Sequence, residues 1–119
     1  MKNMLYVFLG GGVGSALRYL LFMLIPQTSF PYATFIVNIV GSFLIGLFLS
    51  LSNSSSALSS SLFLLLTTGL CGGFTTFSTF SKEGFLMIQQ QQWTQFILYT
   101  LSSIVFCLLA TAFGFYIGK

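Results

Sequence analysis

Nine consecutive residues hold most of the chemistry this chain can offer: Gly72-Gly73-Phe74-Thr75-Thr76-Phe77-Ser78-Thr79-Phe80, two glycines, four hydroxyl side chains and three phenylalanines without a charge. They sit inside a long apolar segment. Adjacent glycines weaken a helix, so the stretch predicts an interruption there, and freed peptide groups in a membrane must line a cavity or be buried in protein. Phe77 and Phe80, three apart, share a helix face. An aromatic ring is negative on its faces and positive at its edge. Ring edges, with hydroxyl and amide donors from Thr76, Ser78 and Thr79, could hold a small anion without any fixed positive charge. The carbonyls of the same break suit a cation such as sodium. Simple packing is the alternative for the phenylalanines.

Two polar stripes accompany this stretch. Thr34, Asn38 and Ser42 recur every fourth residue, roughly along one helix face. A carboxamide at mid-span is costly against lipid, so Asn38 should face protein or water. Tyr99, Ser103, Cys107 and Thr111 also recur every fourth residue, with Ser102 alongside, and resemble half of a polar track. Helix–helix glue, or hydroxyls bonded back to their own helix, is the competing account of both stripes.

The elements that must position these residues are membrane helices. Of 119 residues 55% are hydrophobic and only 4% charged, where a soluble domain carries about 25% charged residues. Four apolar runs, at about 4–25, 32–51, 62–88 and 93–118, are each long enough to span a bilayer, which takes about 20 residues. They are continuous rather than alternating, which argues against a strand barrel. The first run lacks a cleavage region and is read as a retained span, not a signal peptide. The expectation is one all-α domain over 1–119, a multi-pass protein whose third span is broken mid-membrane. Connections are expected at 26–31, in the serine-rich loop 50–61 and at 89–92, with Trp93 as an interface anchor. Gly10 and Gly14, Ser42 and Gly46, Gly69 and Gly73, and Ala110, Gly114 and Gly118 have the four-residue spacing that lets helix backbones approach closely.

Charge and composition exclude several functions. Lys2, Arg18, Lys82 and Lys119 against Glu83 give +3, too few and too scattered for nucleic acid. Without histidine, a carboxylate pair or a cysteine cluster, neither a zinc site nor a carboxylate hydrolase can be built, and no enzyme is expected. Cys71 and Cys107 are expected to be free thiols. With four spans both termini share one face, and the cations divide two against two, which permits insertion in both orientations. Such a chain could form an antiparallel dimer. Four short spans enclose little space, so a pathway needs more than one chain.

These residues resemble those of the small prokaryotic fluoride channels called Fluc or CrcB. The likeness covers essentially the whole chain: Gly10-Gly11-Gly12-Val13-Gly14-Ser15-Ala16-Leu17-Arg18-Tyr19, Val37-Asn38-Ile39-Val40-Gly41-Ser42-Phe43, and most specifically Gly72 to Phe80. The resemblance implies an antiparallel, dual-topology homodimer in the plasma (inner) membrane of a prokaryote, with fluoride as its ion. Two fluoride pathways would let the trapped anion leave passively and so lower cytoplasmic toxicity. It also implies a structural sodium ion at the dimer centre, held by backbone carbonyls of Gly72 and Thr75. Phe77 and Phe80 would supply ring edges, and Asn38 a hydrogen bond, with Ser78 or Thr79 nearby. Tyr99 and Ser103 match the family's polar track. Cys107 departs from the serine or small residue expected there and receives no ion contact. Glu83 matches an acidic position beyond the break, and Arg18 a basic position that could attract anions or anchor the fold. Three rival readings remain: a proton-coupled exporter of the small four-span type, for which Glu83 would have to serve as the embedded carboxylate; a non-transporting assembly subunit; and one half of a paired heterodimer.

Overall fold

The computed structural model describes residues 1–54 and 58–119 and is all-helical among them. Its helices are α1 (Lys2–Leu24), α2 (Tyr32–Ser54), α3 (Ser60–Leu64), α4 (Gly72–Phe74), α5 (Phe77–Gln89) and α6 (Trp93–Ile117), with a π-helical stretch, Leu65–Cys71, joining α3 to α4. Four segments are long and apolar enough to cross a membrane: Lys2–Leu24, Tyr32–Ser54, Ser60–Gln89 and Trp93–Ile117. The expected spans thus hold within a few residues. The expected loop at 50–61 is shorter than the serines suggested, because α2 runs on to Ser54 and α3 starts at Ser60. Residues 55–57 of that loop lie outside the described residues.

The helices pack as two parallel pairs. Along α1, Gly10 lies against Leu65 and Leu70, Gly14 against Leu70 and Phe74, and Arg18 against Thr75, so α1 and the third segment run in the same direction. Gly46 meets Thr111, Gly114 meets Phe43 and Gly118 meets Ser50, so α2 and α6 also run together. The contacts of Ser61 with Asn3 and of Gly118 with Ser50 bring both termini to the end where α2 passes to α3.

Small residues make these pairs possible. A Cβ on Gly10 would overlap the Leu65 carbonyl and lie 2.9 Å from the Leu70 nitrogen; one on Gly14 would overlap the Leu70 carbonyl and lie 2.8 Å from the Phe74 nitrogen. Gly46 and Gly114 face backbone across the other pair in the same way. The obstacles are main chain, which no rotamer change can clear. The core is correspondingly thin: Thr34, Val37 and Tyr99 are fully buried, whereas Phe8, Leu98 and Phe113 point outward. In a soluble protein that exterior would be a liability; around a membrane span it is the surface lipid wets.

The third segment is irregular in two ways. The Gly72 amide bonds to the Thr67 carbonyl, five residues back, as well as to Gly69. This is the wider π register, frequent at functional sites. The helix then stops at Thr75 and Thr76, whose extended backbones have φ/ψ of −77/157 and −148/113. The interruption thus falls within the expected stretch 72–80, after the glycine pair, which is itself helical. Gly73 instead permits close approach to Gly11, where a Cβ would strike the Gly11 carbonyl. Thr76 restarts the helix, its side chain accepting the Thr79 amide at 3.2 Å as N-cap.

Candidate functional site

The interruption is held open by a side chain from another helix. Asn38, half-buried on α2, accepts the Thr76 amide on Oδ1 at 2.8 Å and donates from Nδ2 to the Thr76 carbonyl at 3.2 Å. In a continuous helix the Thr76 amide would donate to the carbonyl of Gly72. Asn38 takes that donor, and the Gly72 carbonyl loses its usual helical partner. This reciprocal pair also fixes the amide's orientation, since an N–H must meet Oδ1 and a carbonyl must meet Nδ2.

Further bonds hold other groups around the break. The Cys71 carbonyl accepts both the Thr75 amide, at 2.9 Å, and the Thr75 hydroxyl, at 2.8 Å. Arg18 on α1 donates from Nη1 to the Thr75 carbonyl at 3.0 Å. The Thr76 hydroxyl donates to the Thr79 hydroxyl at 3.1 Å, and Ser78 Oγ lies 3.3 Å from it. Without these partners, the broken backbone would carry a desolvation cost in an apolar medium.

Beside the break lies an open groove of about 590 Å³ between α2, the third segment and α6. Of the nine residues expected to contact or line the path of an ion, six line it: Asn38, Gly72, Thr75, Phe77, Phe80 and Ser103. The Phe77 and Phe80 rings are 5.6 Å apart, and Phe77 is 78% exposed. Ser103 is 7% exposed and its hydroxyl has no hydrogen-bond partner. A buried unpaired hydroxyl is costly, so one beside an open groove is poised for a ligand or water.

The other three lie off the groove. Ser78 and Thr79 belong to the hydroxyl cluster capping α5. Tyr99 is fully buried behind Phe80, with ring centroids 5.1 Å apart, and donates to Glu83 Oε2 at 2.7 Å. Thr34 donates to the other carboxylate oxygen, also at 2.7 Å. Glu83 borders a second pocket of about 280 Å³ beside the α1–α2 connection. The expected stripes therefore divide. Thr34 and Tyr99 hold Glu83, Asn38 holds the break, and Thr111 is the glue considered as the alternative, bonding the Ser42 and Cys107 carbonyls at 3.0 Å.

Sequence reasoning missed the N-terminal half of the third segment. Thr67, Thr68 and Cys71 line the groove above Gly72. Their four-residue offsets to Cys71, Gly72 and Thr75 were a readable signal. Cys107, left without a role, also lines the groove, and both thiols are free. Among the described residues no cluster of histidine, cysteine or acidic side chains could hold a metal. The oxygen donors at the break are main-chain carbonyls and hydroxyls, hard neutral ligands that fit an alkali cation better than a transition metal.

The model of a family described as CrcB-like protein, Camphor Resistance (CrcB), matches residues 5–115. A protein of Flavobacterium psychrophilum named fluoride-specific ion channel FluC is 48% identical, the match covering 100% of this chain and 98% of that protein. Proteins of the same name from Phocaeicola vulgatus and Chloroflexus aurantiacus are 44% and 41% identical over 100% of this chain and 100% and 97% of their own lengths.

Proposed function

We propose that this chain, which belongs to the CrcB-like family, is a fluoride-selective channel that lets the anion leave the cytoplasm passively and so lowers its toxicity. The observation that carries the reading is the groove beside the broken helix. It joins two phenylalanines, an asparagine and an unpartnered buried serine, with no carboxylate and no ammonium group among its lining residues. A small, strongly hydrated anion gives up water only where many donors replace it. Asn38 uses one amide hydrogen on Thr76 and keeps a second. Ring edges of Phe77 and Phe80 and the Ser103 hydroxyl complete an uncharged donor set. Ser78, Thr79 and Tyr99 support it from behind, through the α5 cap and through Glu83. The names of the relatives point the same way, each being called a fluoride-specific ion channel.

The working unit in this reading is an inverted homodimer in the inner membrane of a prokaryote, with the break at mid-membrane depth. A groove open on one side exposes interrupted backbone, which lipid cannot satisfy, and a second copy would cover it. Thr75 and Thr76 fall midway along the Ser60–Gln89 segment. Inversion is supported by cations placed toward both ends. The carbonyls of Gly72 and Thr75 from each chain would hold a structural sodium ion, the first because Asn38 has removed its helical partner. Bound there, sodium would neutralise the carbonyl dipoles gathered between two copies. Expression in a bacterium stripped of its own fluoride export tests the role. Growth in acidified, fluoride-containing medium is expected from this chain, and sensitivity equal to the empty vector would refute it.

A further inference from the structure

Arg18 has no place in the donor set above, yet its guanidinium reaches the main-chain oxygen that the proposed cation site uses. Nη1 donates to the Thr75 carbonyl at 3.0 Å across 57 residues of sequence. One turn earlier on the same helix, Ser15 Oγ lies 3.5 Å from the Gly73 carbonyl. Gly11 and Gly14 bring the α1 backbone against Gly73, Leu70 and Phe74. The side of α1 facing the break therefore consists of two residues without side chains, one hydroxyl and one fixed cation. Arginine in an apolar span is costly and needs a defined partner. Here that partner is a neutral carbonyl with a second lone pair to spare.

We infer that Arg18 is a positioning residue for the cation site: it orients the Thr75 carbonyl and, through its permanent charge, biases that site toward monovalent ions. Guanidinium does not deprotonate in proteins, so the charge is present at every working pH. Coulomb repulsion scales with the product of charges, and a divalent ion on the same oxygen is repelled twice as strongly as sodium. Meanwhile the hydrogen bond holds the carbonyl in place whether or not a cation is bound. The Arg18 residues of both copies would act together, so the bias is felt twice in the dimer. This rests on the reading of Gly72 and Thr75 as sodium ligands.

Melting of the purified full-length protein in detergent, with sodium or calcium added to a choline background, separates the two layers. Sodium should raise the melting temperature of the unaltered protein, and calcium at equal concentration should not. Arg18→Gln keeps a donor and removes the charge, so calcium should now stabilise it at least as well as sodium. Arg18→Lys keeps the charge and loses the planar fork. It should remain blind to calcium while needing several-fold more sodium for the same shift. Fluoride efflux from liposomes should follow the same cation preferences. An unaltered protein indifferent to sodium would overturn the sodium site itself. A sodium-responsive Arg18→Gln that still ignores calcium, or an Arg18→Lys that accepts it, would overturn the role of Arg18 alone.

Discussion

Asn38 and Thr76 exchange two hydrogen bonds, 2.8 Å and 3.2 Å long, so a side chain on α2 stands in for a turn of the third helix. Removing the carboxamide strands a buried donor and acceptor together. Asn38→Ala should destabilise the protein by about 1–3 kcal/mol, the cost of leaving such groups unpaired, and should abolish fluoride efflux. Asn38→Asp keeps the acceptor but sets a second carboxylate oxygen against the Thr76 carbonyl. It should lose transport as well, because its charge repels the anion. Thermal unfolding beside efflux measures both, and an Asn38→Ala protein of unchanged stability would contradict the clamp.

The glycine contacts allow a paired comparison. Gly10→Ala drives a methyl group into the backbone at Leu65 and Leu70, whereas a Cβ on Gly12 meets nothing within 4 Å. Overpacking costs about 1–3 kcal/mol, so Gly10→Ala should lower the melting temperature. Gly12→Ala should be neutral or stabilising, by up to about 1 kcal/mol, since alanine is the better helix former. Equal effects of the two would mean that α1 does not approach the third segment as closely as described.

Glu83 decides between channel and exporter. Its two carboxylate oxygens are each taken by a hydroxyl at 2.7 Å, from Thr34 and Tyr99. A proton carrier must release such partners in every cycle, whereas a structural carboxylate keeps them. Fluoride efflux should therefore move no coupled protons, which a pH-sensitive dye inside liposomes would register. Tyr99→Phe deletes one charge-assisted bond and should cost about 1.5–3 kcal/mol of stability. Stoichiometric proton movement that disappears in Glu83→Gln would favour the exporter instead.

Phe77→Ile and Phe80→Ile keep apolar bulk and lose the positive ring edge. On the scale of an aromatic edge contact, about 0.5–1.5 kcal/mol, each site should lose roughly twofold to thirteenfold in flux. Folding should change little for Phe77, which is exposed in the single chain. Stopped-flow efflux with the two variants gives the measurement, and unchanged flux in both would reduce the rings to packing.

The sequence made the spans legible because lipid demands long apolar runs, and the helix ends fell within a few residues of expectation. It also marked the stretch that breaks, residues 72–80, but not which residues within it leave the helix. What places the break at Thr75 and Thr76 is Asn38, 38 residues away, whose bonding no local pattern reveals. The π-helical stretch was hidden for a related reason: residue type sets helix propensity but not which carbonyl an amide selects. Thr111 and Tyr99 looked alike within one stripe, and only their neighbours, Ser42 on one side and Glu83 on the other, separate glue from carboxylate partner. The groove was legible as chemistry, through Asn38, Phe77, Phe80 and Ser103. Its upper wall at Thr67 and Thr68 was not noticed.

Fluoride and chloride efflux from liposomes carrying the purified protein, followed with ion-selective electrodes after valinomycin is added, tests the central claim most directly. Fluoride should leave rapidly, while chloride release should match protein-free vesicles. Equal efflux of the two anions, or fluoride retained as in empty vesicles, would contradict the account.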